Sequence, residues 1–210
     1  MPRWPSPVLA LAAFLLVFLF HASVTVPGAS ILIGLSGLLF AAMAYGLTAF
    51  SRPASSVFSR PLDLLTVAGY LTFGVIAIFV DMVQAGNGPG PIDVEQSYAP
   101  TLVMQAAVKW IEDCDALLGV NDPWYWTLAM LSPFLYLPFY LWSAWMLIND
   151  QKSRVHRNCT LLWAGVLSVT TVQILVEELI GQHASKNFLK VLGGYGPYVL
   201  FPLFVLWREW

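Results

Sequence analysis

The chain has 210 residues, of which 58% are apolar, 14% aromatic and 10% charged, and its formal net charge is −2. Soluble domains usually carry about 25% charged residues, so this composition is too poor in charge to form a water-facing surface. It excludes a soluble enzyme, a nucleic-acid-binding protein and a disordered chain. A mean hydropathy of +0.70 indicates an integral membrane protein.

Six apolar segments are long enough to cross a bilayer, for which a helix needs about 20 residues. In chain order they are residues 8–26, 31–50, 62–83, 126–148, 160–180 and 188–207. The strands of membrane barrels are runs of about ten residues of alternating polarity, which do not fit these continuous apolar runs. The sequence therefore predicts an all-α integral membrane protein with six transmembrane helices.

The positive charges lie mainly on one side of these helices. Seven of the ten Lys and Arg residues fall on the side of the N-terminus. Because cytoplasmic loops keep an excess of Lys and Arg, both termini, including the tail 208–210, are expected in the cytoplasm. The acidic, Gly- and Pro-rich loop 84–123 then lies on the far side and is the only extramembrane segment of any size.

The first apolar segment has a second interpretation. Arg3 precedes apolar residues 8–20 and the triplet His21-Ala22-Ser23, a pattern also seen in cleaved signal peptides. The apolar run continues beyond this point without a clean small-x-small cleavage site, so a membrane helix is preferred and cleavage stays open. The other five helices keep their orientation in either case.

Ionisable residues at membrane depth are costly and therefore indicate functional sites. Asp81, in the third helix, is the clearest case. It shares one helical face with three residues at helical spacing, namely Thr66, Tyr70 and Ala77. This stripe would point a hydroxyl, a phenol and a carboxylate into the helix bundle. The alternative is that Asp81 lies at the helix end and is simply hydrated.

The fifth helix carries a similar polar stripe formed by Thr170, Gln173 and Glu177. Glu178 lies about 100° further round the helix, so we expect one of the two carboxylates to face the bundle and the other to reach water near Gly181. A carboxylate pair on neighbouring helices can share a proton or bind a cation. A hydrated helix end is again the alternative.

No motif for a metal or a cofactor is visible. The chain lacks a Cys/His cluster with zinc spacing and the GxSxG, GxGxxG and Walker A patterns. Neither a metal nor a cofactor is therefore expected, and any chemistry must come from polar residues within the helices. Pro133 and Pro138 predict a bend in the fourth helix, and such a bend can open a cavity between helices.

Several short motifs follow one another in a characteristic order. They are Arg60-Pro61-Leu62-Asp63-Leu64, Phe79-Val80-Asp81, Lys109-Trp110 with Asp115, Leu137-Pro138-Phe139-Tyr140, and Gly196-Pro197-Tyr198-Val199-Leu200-Phe201-Pro202-Leu203. This order resembles the EXPERA domain, the four-helix module of emopamil-binding sterol isomerases, the sigma-2 receptor and the transmembrane 6 superfamily. The resemblance covers residues 60–207. The two helices within 1–59 resemble those preceding the first module of the transmembrane 6 superfamily.

The resemblance implies a four-helix bundle around a cavity that opens sideways to lipid and accepts sterols or lipophilic amines. In the sigma-2 branch an Asp near the end of the first module helix pairs with the ligand's ammonium group, and the matching residue here is Asp81. A second Asp in the following loop supports that site and matches Asp115. A Glu in the next helix of that branch falls at about Ser132, so that partner is missing here.

The isomerase branch moves a double bond with a His and a Glu one turn apart on the first module helix. The matching positions fall near Phe73 and Ala77, neither of which can carry a proton. Isomerisation by the family mechanism is therefore not expected. Asp81 or Glu177 would be the proton donor if the protein were a different isomerase or cyclase acting on a sterol or terpenoid.

The sequence thus favours a non-enzymatic membrane protein that binds a sterol or related lipophilic ligand and takes part in lipid and sterol homeostasis. The resemblance implies the endoplasmic reticulum. Candidate ligand-binding residues are Asp81, Asp115, Gln173, Glu177, Tyr198 and Tyr70. Membrane lipid is a further expected partner, and nucleic acid is excluded. The isomerase or cyclase, a scaffold that binds membrane proteins through small residues such as Ala42 and Gly46, and a homodimer stay open.

Overall fold

The computed structural model describes residues 38–47, 57–92 and 101–209, and within these ranges all regular secondary structure is helical. The helices are α1 (Leu38–Leu47), α2 (Pro61–Asn87), α3 (Thr101–Asp113), α4 (Ala116–Val120), α5 (Pro123–Ile148), α6 (Arg154–Ile180), α7 (Phe188–Tyr195) and α8 (Pro197–Glu209). A short 3-10 turn, Val57–Ser59, precedes α2.

Four of the described helical segments are long and apolar enough to cross a membrane. They are α2, α5, α6 and the combined segment Phe188–Glu209, which α7 and α8 form together, and they contain 22 to 27 residues. These four correspond to the last four predicted segments, which confirms the helical membrane class. The shorter α1 lies inside the second predicted segment, and the first predicted segment lies outside the described residues. The count of six therefore stays a prediction.

The two central helices each widen into a π-helical stretch. In α2 this stretch is Ala77–Asp81, and in α5 it is Ser132–Tyr136, which contains Pro133. Proline lacks a backbone N–H and clashes with the preceding turn, and a local π-helical adjustment accommodates it. The two stretches contact each other, which brings Asp81 to Ser132.

An aromatic cluster forms the core between α2, α5, α6 and α8. The Tyr70 ring is 1% exposed, and its centroid lies 5.3 to 5.9 Å from the centroids of four other rings. These four belong to Phe139, Tyr140, Trp163 and Phe201. Gly69 permits this packing, because a Cβ atom there would lie 2.1 Å from the Phe201 ring. Aromatic pairs at these distances stabilise a fold by about 0.5–1.5 kcal/mol each beyond area burial.

The described residues 101–122, which precede α5, are packed against the end of α2 through Asn121. Gln84 donates to its side-chain oxygen over 2.8 Å, and its side-chain nitrogen donates to the Gly88 carbonyl over 2.7 Å. Asn121 is fully buried and adopts φ +47°, a left-handed conformation that Asn tolerates better than most residues. The described part of this segment after α2 therefore contains α3 and α4, and Asn121 fixes it to the end of α2.

Ion pairs close the opposite end of the bundle. The Arg208 Nε atom donates to Asp63 Oδ1 over 2.8 Å, which joins the end of α8 to the start of α2. Arg60 donates to Asp150 Oδ1 over 3.0 Å and to the Leu147 carbonyl over 2.9 Å, which joins the start of α2 to the end of α5. These pairs fix the relative positions of three membrane helices.

Candidate functional site

Asp81 lies where the two π-helical stretches meet. Its carboxyl is half-buried, and the Ser132 hydroxyl is within hydrogen-bonding reach. Three tyrosines from other helices, the buried Tyr125 and Tyr140 and the half-buried Tyr198, lie close enough to interact with its charge. The polar partner that the family resemblance placed on this turn of α5 as a Glu is here a serine hydroxyl.

The predicted stripe on α2 faces the bundle. Thr66, Tyr70 and Ala77 are all at most 1% exposed, and the Thr66 hydroxyl donates to the Leu62 carbonyl over 2.7 Å. Tyr70 is enclosed by the aromatic cluster. Phe73, at one of the positions where the isomerase branch has an acid or base, packs against the Tyr198 ring with centroids 4.7 Å apart. An apolar side chain, Phe73, therefore occupies the position of that acid or base.

Asp115 is fully buried at the start of α4 and accepts three hydrogen bonds. Its Oδ1 atom caps α4 by accepting from the Leu118 N–H over 2.8 Å. Its Oδ2 atom accepts from Trp110 Nε1 and from the Tyr195 hydroxyl, each over 2.7 Å. These bonds hold the carboxyl in one orientation and join α3, α4 and α7.

A chain of two phenols extends from this carboxyl towards α5. The Tyr125 and Tyr195 hydroxyl oxygens lie 2.5 Å apart. Because Tyr195 gives its single hydroxyl hydrogen to Asp115, Tyr125 must be the donor to Tyr195. Tyr125 is one of the tyrosines that interact with the charge of Asp81, so the chain lies between the two acidic residues.

Glu178 is the carboxylate of α6 that faces the bundle. It is fully buried, its Oε1 atom accepts from the Leu117 N–H over 3.2 Å, and the carboxyl lies beside that of Asp115. Its Oε2 atom has no hydrogen-bond partner among the described residues. Sequence reasoning expected one of the two glutamates to face the bundle and placed Glu177, not Glu178, among the candidate ligand-binding residues. The buried spacing Leu167, Thr171, Ile174 and Glu178 is the signal that identifies it.

Glu177 and Gln173 face a different environment, an open cleft of about 630 Å³ beside the ends of α5 and α6. The cleft is lined by Asp122, Trp124, Gln173, Val176, Glu177, Gln182 and His183. Glu177 Oε1 lies 3.1 Å from His183 Nδ1 and accepts from the His183 backbone N–H over 3.2 Å. The prediction that one glutamate turns outward near Gly181 is confirmed, and His183 is a partner that sequence reasoning missed.

The six predicted ligand-binding residues therefore fall into distinct settings. Asp81 and Tyr198 are half-buried and lie near each other, Tyr70 lies in the aromatic core, and Asp115 lies in the buried polar cluster beside Glu178. Gln173 and Glu177 line the outer cleft, whereas Asp81 and Asp115 do not. In the part of the chain that the structure describes, no group of three or more His, Cys, Asp or Glu side chains has a metal-binding arrangement.

Comparison with known families gives one result that fits this geometry. The family model described as EXPERA (EXPanded EBP superfamily) matches residues 102–209, about half of the chain, from α3 to α8. The match begins after α2 and therefore does not include Asp81. No curated protein and no solved structure matches the chain. The chain is thus an integral membrane protein that belongs to the EXPERA (expanded EBP) superfamily.

Proposed function

We propose that this protein binds a sterol or a related lipophilic molecule within the membrane and that Asp81 holds the polar end of the ligand. The observation that carries the proposal is the placement of Asp81 at the contact between two π-helical stretches. Such stretches are rare and occur frequently at functional sites. A carboxyl at this depth is costly unless it has a partner, and here the protein supplies the Ser132 hydroxyl.

The other predicted residues would take different roles in ligand binding. Tyr198 packs its ring against Phe73 and lies near the charge of Asp81, so it would contact the ligand beside the polar end. Asp115 acts through the Tyr195 and Tyr125 hydroxyls, which makes it a positioning residue. Tyr70 shapes the aromatic wall. Gln173 and Glu177 would serve ligands that arrive at the outer cleft.

We further propose that ligand binding serves lipid and sterol homeostasis in the endoplasmic reticulum, with both chain termini in the cytoplasm. The superfamily membership and the apolar bundle support a lipophilic ligand. The distribution of Lys and Arg supports the orientation.

The rival function is a membrane-embedded isomerase or cyclase acting on a sterol or terpenoid. The specific observation in its favour is the contact between Glu177 and His183, which pairs an acid with a base at 3.1 Å. Such a pair can transfer protons to and from carbon. This pair lines the outer cleft, however, and the positions near Phe73 and Ala77 are apolar, so we favour binding.

The test is mass spectrometry of lipids that co-purify with the protein in mild detergent. Wild type should retain one enriched sterol-like species, and Asp81→Asn should lose most of it. Glu112→Gln is the matched control, because it makes the same acid-to-amide change on an exposed side chain of α3. If Asp81→Asn and Glu112→Gln carry the same lipids as wild type, the proposal is wrong and the scaffold hypothesis becomes preferred.

Incubation of the retained species with the pure protein separates binding from catalysis. A binder returns the species unchanged. An enzyme forms a product, and product formation should stop in Asp81→Asn or Glu177→Gln if either carboxyl is the proton donor.

A further inference from the structure

Asp115 and Glu178 place two buried carboxyl groups side by side at the start of α4. Both side chains are fully buried. Glu178 Oε1 accepts from the Leu117 N–H over 3.2 Å, and Asp115 Oδ1 accepts from the Leu118 N–H over 2.8 Å. Because these two N–H groups follow one another in the same helical turn, the carboxyl groups that bind them are neighbours.

No positive charge balances this pair. In the part of the chain that the structure describes, neither carboxyl forms an ion pair with Lys, Arg or His. Two basic side chains of this region have other partners, since His183 lies 3.1 Å from Glu177 and Lys190 contacts Asp113 over 2.8 Å. Two like charges held side by side without water repel strongly, so we expect one of the two carboxyl groups to be neutral.

The hydrogen bonds indicate which carboxyl is the charged one. A carboxylate offers about four acceptor positions. Asp115 uses three of them, for one backbone N–H of α4 and for the side chains of Trp110 and Tyr195. Glu178 accepts from one backbone N–H, and its Oε2 atom is buried with no hydrogen-bond partner among the described residues. Donors favour the ionised form of a carboxyl, so this asymmetry favours a charge on Asp115 and a hydrogen on Glu178.

A single hydrogen completes the bonding of both groups. The two carboxyl groups lie within hydrogen-bonding reach of each other. A hydrogen on Glu178 Oε2 would occupy the remaining acceptor position of Asp115 and would give a partner to an oxygen that otherwise lacks one. A metal ion fits this pair less well, because it needs several ligand oxygens and Asp115 has one position left.

Ser185 covers the pair from the loop that follows α6. Its backbone N–H donates to the Glu178 carbonyl over 2.7 Å, and its hydroxyl donates to the Cys114 carbonyl over 2.5 Å. Four titratable groups lie close enough to Glu178 to interact with its charge, and none of them is a cation. They are Asp115 and Cys114 at the start of α4, Tyr125 of α5 and Glu177 of α6.

We propose that Asp115 and Glu178 together bind one proton at neutral pH and that this proton joins α4 to α6. The Glu178 carboxyl would donate to the Asp115 carboxylate, while Tyr195 donates to the same carboxylate from α7. Release of the proton to water leaves two adjacent buried carboxylates, whose repulsion would separate α4 from α6. The pair is then a pH-sensitive joint between residues 101–122 and the membrane helices. It does not depend on the ligand-binding function proposed for Asp81.

Infrared spectroscopy of the full chain in detergent tests where the proton lies. A protonated carboxyl gives a C=O stretching band that an ionised carboxylate lacks. The measurement is made in the Asp81→Asn background, because Asp81 is another carboxyl within a membrane helix. At pH 7 this protein should show the band, and adding Glu178→Gln should remove it. Adding Glu177→Gln instead should leave the band, since that carboxyl lines the outer cleft.

Absence of the band at pH 7, or its persistence after Glu178→Gln, would overturn the proposal. Neither outcome bears on the ligand role of Asp81, which lipid retention tests separately.

The pH dependence of stability tests the same proton in the otherwise wild-type chain. A glutamic acid in the unfolded chain releases its proton above about pH 4.3. If the folded pair keeps that proton, unfolding releases it, so wild type must lose stability as the pH rises. Relative to Glu178→Gln, which cannot ionise, the unfolding constant of wild type should rise about tenfold per pH unit between pH 5 and pH 7. Glu112→Gln should behave as wild type, and a constant ratio between wild type and Glu178→Gln would contradict the proposal.

Hydrogen–deuterium exchange of the α4 amides tests whether the proton joins α4 to α6. In wild type the exchange of Leu117 and Leu118, corrected for its intrinsic pH dependence, should accelerate at least about tenfold between pH 6 and pH 9. Glu178→Gln should show no such acceleration, because its side chain stays neutral and its N–H₂ group can donate to Asp115. Equal acceleration in both proteins would show that the pair does not control the position of α4.

Discussion

Asp115 and Glu178 are two fully buried carboxyl groups that accept hydrogen bonds from consecutive backbone amides of one short helix. Asp115 accepts from the Leu118 N–H over 2.8 Å, and Glu178 accepts from the Leu117 N–H over 3.2 Å. The second Glu178 oxygen, Oε2, has no partner among the described residues although its carboxyl lies beside that of Asp115. A hydrogen on this oxygen would let Glu178 donate to Asp115.

This arrangement predicts that Glu178→Gln folds almost as well as wild type. The amide N–H₂ can donate to Asp115 while the amide oxygen still accepts from Leu117, so the change in unfolding free energy should stay within about 1 kcal/mol. Glu178→Ala should cost about 3 kcal/mol, because it leaves a cavity and an unpaired amide. Thermal unfolding in detergent measures both. Equal damage by Gln and Ala would show that the negative charge itself is required.

Ser132→Ala should weaken the support of Asp81 without changing the shape of the π-helical stretch. Loss of one hydrogen bond to a carboxylate should lower the unfolding free energy by about 1–2 kcal/mol. Lipid retention should fall less than in Asp81→Asn, since the carboxylate itself remains. Ser132→Thr keeps the hydroxyl and is the control. Full retention of stability and lipid in Ser132→Ala would rule out a role for this contact.

The ion pair between α3 and α7 predicts a pH-dependent contribution to stability. Lys190 Nζ donates to Asp113 Oδ2 over 2.8 Å, and this contact lowers the pKa of Asp113 below its ordinary value, with Lys109 adding to the effect. A carboxyl whose pKa is depressed on folding stabilises the protein above its unfolded-state pKa of about 3.9. That contribution is lost as the pH falls through the lower, folded-state pKa.

The measurement compares the melting temperatures of wild type and Asp113→Asn between pH 7 and pH 3. Wild type should be the more stable at neutral pH, and the difference should shrink as the pH falls towards 3. Asp150→Asn is the control. Asp150 pairs with Arg60 at the opposite end of the bundle, so this variant leaves the contact between Asp113 and Lys190 intact. A difference that stays constant across this range would show that Asp113 acts through packing or hydrogen bonding without its charge.

Cys114 is expected to be an unreactive thiol. It is 2% exposed, and burial, followed by the neighbouring Asp115 charge, raises its pKa to about 12. Since the thiolate is the reactive form, labelling by N-ethylmaleimide at pH 8 should be very slow in the Cys159→Ala variant until the protein is unfolded. The Cys114→Ala, Cys159→Ala double variant measures background. Rapid labelling of the folded protein would contradict the packing described for the α3–α4 junction.

Much of the architecture follows from the sequence because hydropathy and helical spacing act within single helices. The apolar runs located the four described membrane segments, and the spacing of Thr66, Tyr70 and Ala77 identified the buried face of α2. The offset between Glu177 and Glu178 showed that they occupy different surroundings. The order of short motifs indicated the superfamily before any tertiary contact was known.

The partners of the polar groups were decided only by the tertiary structure. The bond from Leu117 to Glu178 joins residues 61 positions apart, and the bond from Tyr195 to Asp115 joins residues 80 positions apart. The pattern along one helix cannot show which neighbour will supply a donor, so sequence reasoning listed Glu177 with Asp81 as candidate ligand-binding residues and left Glu178, Tyr195 and His183 out of that set. The sequence determined which polar residues had to be shielded from lipid. The packing of the bundle determined which partner each of them contacts, because a buried polar group needs a hydrogen-bond partner and that partner can be distant in sequence.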